Sequence, residues 1–232
     1  MRAMKELNII YEDKDILLCH KPAGVATQTK RLGQQDMESM LKNYRAKKGE
    51  PPYIGIVHRL DQPVEGLMVF AKNQKAAAHL SKQVQDRMIG KHYYAVSANA
   101  PAEKEGLLED YLLTDKKTNF TQVVESKQTK SGTAELPKDA KKAKLEYKVI
   151  EQTENKTLFD IKLHTGRQHQ IRVQLAHIGC PLMGDNKYGI ADTTGNTRTK
   201  SDNALALCSY RLQFTHPTTG KQMDYQIKPQ NF

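Results

Sequence analysis

The stretch Ile56-Val57-His58-Arg59-Leu60-Asp61-Gln62-Pro63-Val64-Glu65-Gly66 sets a histidine, an arginine and an aspartate side by side, ahead of a turn-forming Gln-Pro and a glycine. A carboxylate presented at a strand end can serve as a nucleophile or as a base facing a cleft. The plainer alternative is an ordinary ion pair of Arg59 with Asp61 beside a β-turn, which is common and weak. His164, His169, His177 and Cys180 make a second group of reactive side chains. Their spacing matches no familiar zinc pattern, and Arg167 and Arg172 among them oppose a cation, so no metal is expected. Cys19 and His20 are adjacent, and neighbours on a strand point to opposite faces, which argues against a thiol nucleophile. There is no GxxxxGK[ST] phosphate loop and no GxGxxG turn between a strand and a helix. What remains is one acid beside Arg59, a tyrosine-bearing strand, and the segment Thr165-Gly166-Arg167-Gln168-His169-Gln170-Ile171-Arg172-Val173. Arg167 and Arg172 can reach phosphates, or either can pair with a carboxylate that must stay ionised.

The elements that must position these residues follow from periodicity. Leu7 to Tyr11 and Asp15 to His20 read as strands around the turn Glu12-Asp13-Lys14, and Lys21-Pro22-Ala23-Gly24 breaks the pattern as a loop. From Asp36, Met37, Met40, Leu41 and Tyr44 recur at helical spacing until Gly49 and two prolines. Apolar runs on both sides of the His-Arg-Leu-Asp knot predict two strands flanking a charged turn, with Asp61 at a strand end. Asn73 is placed to cap a helix with Ala76, Ala77, Leu80, Val84 and Met88 on one face. Lys91 to Ala98 has aromatic and β-branched strand character. Residues 101 to 148 hold short strand-like pieces between polar loops, with nine lysines and four acids between Lys116 and Lys148. Such a run is a solvated face first and a phosphate contact second. Leu145 to Glu151, Thr157 to His164, Asn203 to Phe214 and Met223 to Ile227 read as strands, and Gln168 to Ile178 as a helix. The sum is α+β: many antiparallel strands, a few helices, no regular βαβ alternation. With no internal repeat, low-complexity tract or linker, one catalytic domain over residues 1–232 is the simpler expectation.

At 232 residues and 38% apolar content the chain can bury a real core. Lys and Arg number 36 against 26 Asp and Glu, a net charge of +10. That excess favours polyanionic partners, RNA or DNA first and an acidic membrane surface second. Three scattered cysteines suggest neither a disulfide framework nor a zinc knuckle. The first residues lack a signal-peptide core and no apolar run approaches membrane-spanning length, so a cytoplasmic setting is expected.

Five ordered motifs carry a family resemblance. His58-Arg59-Leu60-Asp61 with Gly66-Leu67-Met68-Val69-Phe70-Ala71-Lys72 resembles the catalytic motif of the RluA-family RNA pseudouridine synthases. The segment Thr165 to Val173 resembles that family's third motif, and Gly179-Cys180-Pro181-Leu182-Met183-Gly184-Asp185-Asn186-Lys187-Tyr188-Gly189 its continuation. Lys21-Pro22-Ala23-Gly24 is similar to the first motif, Lys91-His92-Tyr93-Tyr94-Ala95 to the K-x-Y-x-A strand, and Leu207, Leu212, Phe214, His216 and Pro217 to the last segment. The resemblance runs from about residue 7 to residue 228.

The resemblance implies a large, mostly antiparallel mixed sheet with a central cleft and a few flanking helices. It implies isomerisation of uridine to pseudouridine in ribosomal or transfer RNA, without cofactor or metal. Asp61 would be the catalytic carboxylate, with Arg172 its ion-pair partner. Tyr93 would stack on the flipped uracil and help remove the C5 proton, and Leu207 would pack on the other face of the base. Arg59, Lys21 and Arg167 are candidates for shaping the cleft or holding RNA. His58 is a further neighbour of the substrate, or a hydrogen-bonded histidine that orders the loop. The chain departs from the family in carrying Val64-Glu65 where many members have Thr-Ser, and Leu207-Cys208-Ser209 where Leu-His-Ala is frequent. With no S4-like RNA-binding domain before Lys21, recognition is expected to fall to the catalytic domain, acting as a monomer without an obligate protein partner. The rival readings are an RNA-binding or ribosome-assembly module without catalysis, and a glycosidase. A glycosidase requires two cooperating carboxylates, and Glu65 is the nearest second acid.

Overall fold

The computed structural model describes residues 7–31, 33–128, 134–189 and 204–230. In chain order the elements are β1 (Asn8–Glu12), β2 (Ile16–Lys21), α1 (Met37–Lys47), β3 (Gly55–Ile56), β4 (Glu65–Ala71), α2 (Gln74–Gln85) and β5 (Gly90–Ser97). There follow β6 (Glu105–Asp115), β7 (Phe120–Val124), β8 (Lys127–Gln128), β9 (Ala134–Glu135), β10 (Lys141–Thr153), β11 (Lys156–Leu163) and α3 (Gln170–His177), and the chain closes with β12 (Leu207–Thr215) and β13 (Gln222–Gln226). They gather into two compact units, Met1–His92 with Leu207–Asn231, and Tyr93–Ala206.

In the first unit β2 and β4 are the central strands, and every residue of both is buried. They pair antiparallel from Ile16↔Ala71 to Lys21↔Gly66. β1 pairs antiparallel with β2 on one side. On the other, β12 pairs parallel with β4 through Cys208↔Glu65 and Ser209↔Gly66, which makes the sheet mixed. β13 extends it antiparallel to β12, and β3 pairs with β4. The β1–β2 turn is fixed by Asp13, whose Oδ1 accepts the amides of Asp15 and Ile16, both at 2.8 Å. One face of the sheet packs Ile16, Leu18, Leu67, Val69 and Leu212 against Ala76 and Leu80 of α2. By strand alternation Leu17, Cys19, Met68 and Phe70 fill the opposite face, all with zero exposure.

The Asn73 cap expected from the sequence is present, and α1 has a cap that the sequence reading did not single out. Asp36 closes a capping box with Ser39 at the start of α1. Asn73 Oδ1 accepts the Ala76 amide at 2.9 Å at the start of α2. That helix ends at Gln85, so Met88 lies beyond it and is 63% exposed rather than on its buried face.

In the second unit β11, β10, β6 and β7 pair antiparallel in that order. Leu112, Ala143 and Val173 form a small core with Val123 and Tyr188 against it. Of the short pieces expected over 101–148, β7, β8 and β9 are present, but β6 and β10 are long strands of 11 and 13 residues. In β10 charged residues alternate with inward-facing ones, so one face stays wet while Ala143, Leu145 and Tyr147 turn inward. Among the described residues the architecture is α+β, with a mixed sheet and three helices. No helix among the described residues is long and apolar enough to cross a membrane.

Candidate active site

Asp61 lies in an irregular stretch between β3 and β4, four residues before the strand that was expected to begin beside it. Both of its neighbours are fixed. On one side, the Leu60 amide donates to Thr27 Oγ1 at 3.2 Å and the Thr27 hydroxyl donates to the Leu60 carbonyl at 3.0 Å. On the other, the Gln62 carbonyl accepts the Gly24 amide at 2.8 Å while Gln62 Nε2 donates to the Gly24 carbonyl at 3.1 Å. A turn closes between them, with the Val64 amide on the Asp61 carbonyl at 3.0 Å.

Beneath this turn lies Lys21, with no exposed surface. Its ammonium donates to the carbonyls of Val25 (2.7 Å), Pro22 (3.1 Å) and Gln62 (3.2 Å). Three donors meeting three carbonyls make a buried charge tolerable. So Lys21 sits as the fastener of the loop rather than at an RNA-facing surface. The Lys-Pro-Ala-Gly and His-Arg-Leu-Asp motifs, some forty residues apart in the chain, are one piece of structure.

Arg59 is exposed and directs Nη2 to Gln28 Oε1 at 2.6 Å, and Gln28 in turn donates to Glu38 at 2.6 Å. Among the described residues it makes no ion pair, which removes the plain surface pair with Asp61. His58 Nε2 accepts the Val69 amide at 3.1 Å, so Nδ1 carries the proton. Burial, with the Lys91 charge nearby, pushes this imidazole down to about 3, and it is neutral. This hydrogen bond ties the loop to β4. Glu65 is 1% exposed, with Oε1 accepting the Gln230 amide at 2.9 Å and Oε2 at 3.6 Å from His20 Nε2. It is turned into the protein. The second open carboxylate that a glycosidase requires is not supplied by Glu65.

In the second unit Arg172 is 6% exposed and makes a bidentate pair with Asp185, Nε to Oδ2 at 2.8 Å and Nη2 to Oδ1 at 2.7 Å. Its guanidinium also lies 5.0 Å from the centre of the Tyr188 ring. Burial alone would raise the Asp185 carboxyl, but the Arg172 guanidinium and the amides of Lys187 and Tyr188 hold it below the usual carboxylate range. Tyr188 Oη accepts the Thr121 amide at 3.0 Å and meets His169 Nδ1 at 2.6 Å. A buried chain runs alongside: Thr165 Oγ1 donates to Gln170 Oε1 (2.7 Å), Gln170 to Gln174 (2.9 Å), and Gln174 to Asp110 (2.6 Å). Asp185 and Tyr188 are the residues that sequence reasoning quoted without giving them a role. The signal was present in Gly184-Asp185-Asn186-Lys187-Tyr188, a turn rich in polar residues following the arginine helix. Arg167 is half-buried, its Nε on the Lys142 carbonyl at 2.9 Å. Tyr93 is 6% exposed in β5, less open than its strand suggested, and Leu207 is 3% exposed at the start of β12.

The histidines weighed as metal ligands go separate ways, His164 to Glu146 at 2.8 Å and His169 to Tyr188. Among the described residues one group has ligand spacing, Asp13, Asp15 and His216. His216 Nδ1 accepts the amides of Thr218 (3.2 Å) and Thr219 (3.1 Å), and its Nε2 donates to Asp13 Oδ2 at 2.7 Å. A metal on Nε2 would demand an imidazolate, so this is a hydrogen-bonded corner of the fold.

This arrangement is the fold of a known class. The structure of human RNA pseudouridylate synthase domain containing 4 superposes with a TM-score of 0.76 over 95% of this chain and 88% of that one, at 22% identity. The RNA pseudouridylate synthase family model matches residues 15–177. Ribosomal large subunit pseudouridine synthase C of Buchnera aphidicola is 30% identical over 218 residues, 93% of this chain and 65% of that protein. Ribosomal large subunit pseudouridine synthase D of Pseudomonas aeruginosa is 32% identical over 246 residues, 98% of this chain and 70% of that protein. The chain therefore spans about two thirds of the length of these curated relatives. It belongs to the RNA pseudouridylate synthase family, a family of uridine-isomerising enzymes, and both the motif resemblance and the α+β class expected from sequence are borne out.

Proposed function

We propose that this chain isomerises specific uridines of structured RNA to pseudouridine, with Asp61 as the catalytic carboxylate. Ribosomal RNA is the favoured substrate, because two relatives bear the name of ribosomal large subunit synthases. The observation that carries the reading is the Asp61 turn, pinned on both sides by Thr27, Lys21 and Gln62. Preorganisation of this kind is what a single working side chain needs.

The reaction breaks the N1–C1′ bond, rotates the uracil and joins C5 to C1′; the C5 proton leaves to solvent and N1 takes up a proton, so the product is an isomer. Nothing is oxidised and no group is added, so one carboxylate suffices, whether it adds covalently or takes a sugar proton. The target base must leave its stack at a cost of roughly a few kcal/mol, offset by cationic contacts to phosphate. On the strength of their motifs, Tyr93 keeps its role against the uracil, Leu207 its role in packing the base, and Arg172 its role as counter-charge to Asp61. Arg59 and Arg167 remain the candidates for phosphate contact. The whole chain works as one catalytic domain and, in a cytoplasmic setting, as a monomer.

Asp61→Asn decides the matter. The variant is expected to bind RNA as the wild type does and to release no tritium from C5-labelled uridine. Appreciable turnover would remove Asp61 from the chemistry. Wild-type binding with no pseudouridine formed on any cellular RNA would instead favour a binding module without catalysis.

A further inference from the structure

Glu65, the residue before the motif glycine Gly66, is 1% exposed at the first residue of β4. Two of its contacts come from distant parts of the same unit. The Gln230 amide, beyond the end of β13, donates to Oε1 at 2.9 Å. His20, 4% exposed and next in the chain to Lys21, places Nε2 3.6 Å from Oε2. One buried carboxylate thus touches the end of β2, the start of β4 and the chain that follows β13. A carboxylate in so dry a place is stable only when donors meet it. The donor at residue 230 is a backbone amide, so the contact fixes the path of the chain there rather than one side chain. A serine at position 65 is two atoms shorter and does not reach it.

We propose that Glu65 latches the segment after β13 to the base of the Asp61 turn, and that this latch holds the turn in its working geometry. The proposal rests on the reading of Asp61 as the catalytic carboxylate, and it makes Glu65 a positioning residue. The latch replaces local rigidity that a shorter polar residue would have to obtain elsewhere.

The test compares the full chain with Glu65→Ser, with Glu65→Gln, with a chain ended after Lys228, and with the double variant of the serine and the shortened chain. Amide hydrogen exchange over residues 58–66 is expected to accelerate about tenfold in E65S and in the shortened chain, the effect of losing one charge-assisted hydrogen bond. The double variant should exchange no faster than either single one, and E65Q, which keeps an acceptor oxygen, should stay protected. The kcat for tritium release should fall in E65S and in the shortened chain at unchanged KM for RNA. Unaltered exchange in the shortened chain, or additive acceleration in the double variant, would overturn the latch. Should the wild type release no tritium, the assignment of Asp61 fails while the exchange comparison still decides whether the latch exists.

Discussion

Leu60 and Gln62 hold the backbone on either side of Asp61, the carboxylate proposed to do the chemistry. The Leu60 backbone bonds to Thr27, and the Gln62 carbonyl and side-chain amide both bond to Gly24, which leaves Asp61 at the start of a closed turn. His58 completes the support from below by accepting the Val69 amide. Its neutrality has a measurable signature. Burial holds the folded imidazole near 3, against an ordinary value of 6.5. Between those values the unfolded chain takes up a proton that the folded one refuses, so stability falls as pH falls through that window. His58→Gln keeps an acceptor for Val69 and removes the titration. Urea unfolding should show the wild type losing about 2 kcal/mol more than this variant between pH 6.5 and pH 5. Parallel pH profiles would mean that His58 titrates normally.

At the scale of elements, the parallel contact between β4 and β12 is the feature on which the most depends. Gly66 has a φ of +135°, and a Cβ there would meet the Ser209 amide nitrogen and carbonyl oxygen at 2.5 Å. Gly66→Ala therefore combines backbone strain with a backbone clash, and should cost roughly 3 kcal/mol. Calorimetry would register that as a fall of several degrees in Tm, and an unchanged Tm would show that β12 moves aside at no cost. Local patterns made α1, α2 and the Asn73 cap legible in the sequence, because helical spacing and an N-terminal Asn are read within a few residues. They also placed Asp61 on a turn. They could not show β4 meeting β12, since Gly66 and Ser209 are brought together only by the register of a parallel pair. The same reason hid the burial of Glu65, whose amide partner lies 165 residues further on. Arg172 and Asp185 are only 13 residues apart, but an intervening turn with no periodicity separates them. The lengths of β6 and β10 were missed because charged residues, acids in β6 and lysines in β10, mimic loops when the pairing partner is unknown.

At the scale of the molecule, the +10 charge is the property that most directly meets RNA. Several acids are already neutralised internally. Glu109 is bracketed by Lys142 at 2.8 Å and Lys144 at 2.9 Å, which hold its carboxyl down to about 2. The cations left over are expected to give RNA binding a strong salt dependence, with log K falling against log salt at a slope of about −3 or steeper. A slope near zero in a filter-binding or anisotropy titration would place recognition on shape and base contacts alone. Asp61→Asn should share the wild-type slope, since it leaves the cationic surface untouched.

The three thiols give the molecule a built-in clock. Cys19, Cys180 and Cys208 have no exposed surface, and burial pushes Cys19 up to about 12 and raises the other two as well. An alkylating reagent at neutral pH meets neither access nor thiolate while the chain is folded. Cys19 and Cys208 lie in one compact unit and Cys180 in the other. Pulse alkylation followed by peptide mapping therefore times the opening of each unit separately, in the unmodified protein and without any introduced label. Equal rates at all three would mean that the two units open together, and an early signal at Cys180 alone would mean that the half carrying Arg172 breathes first.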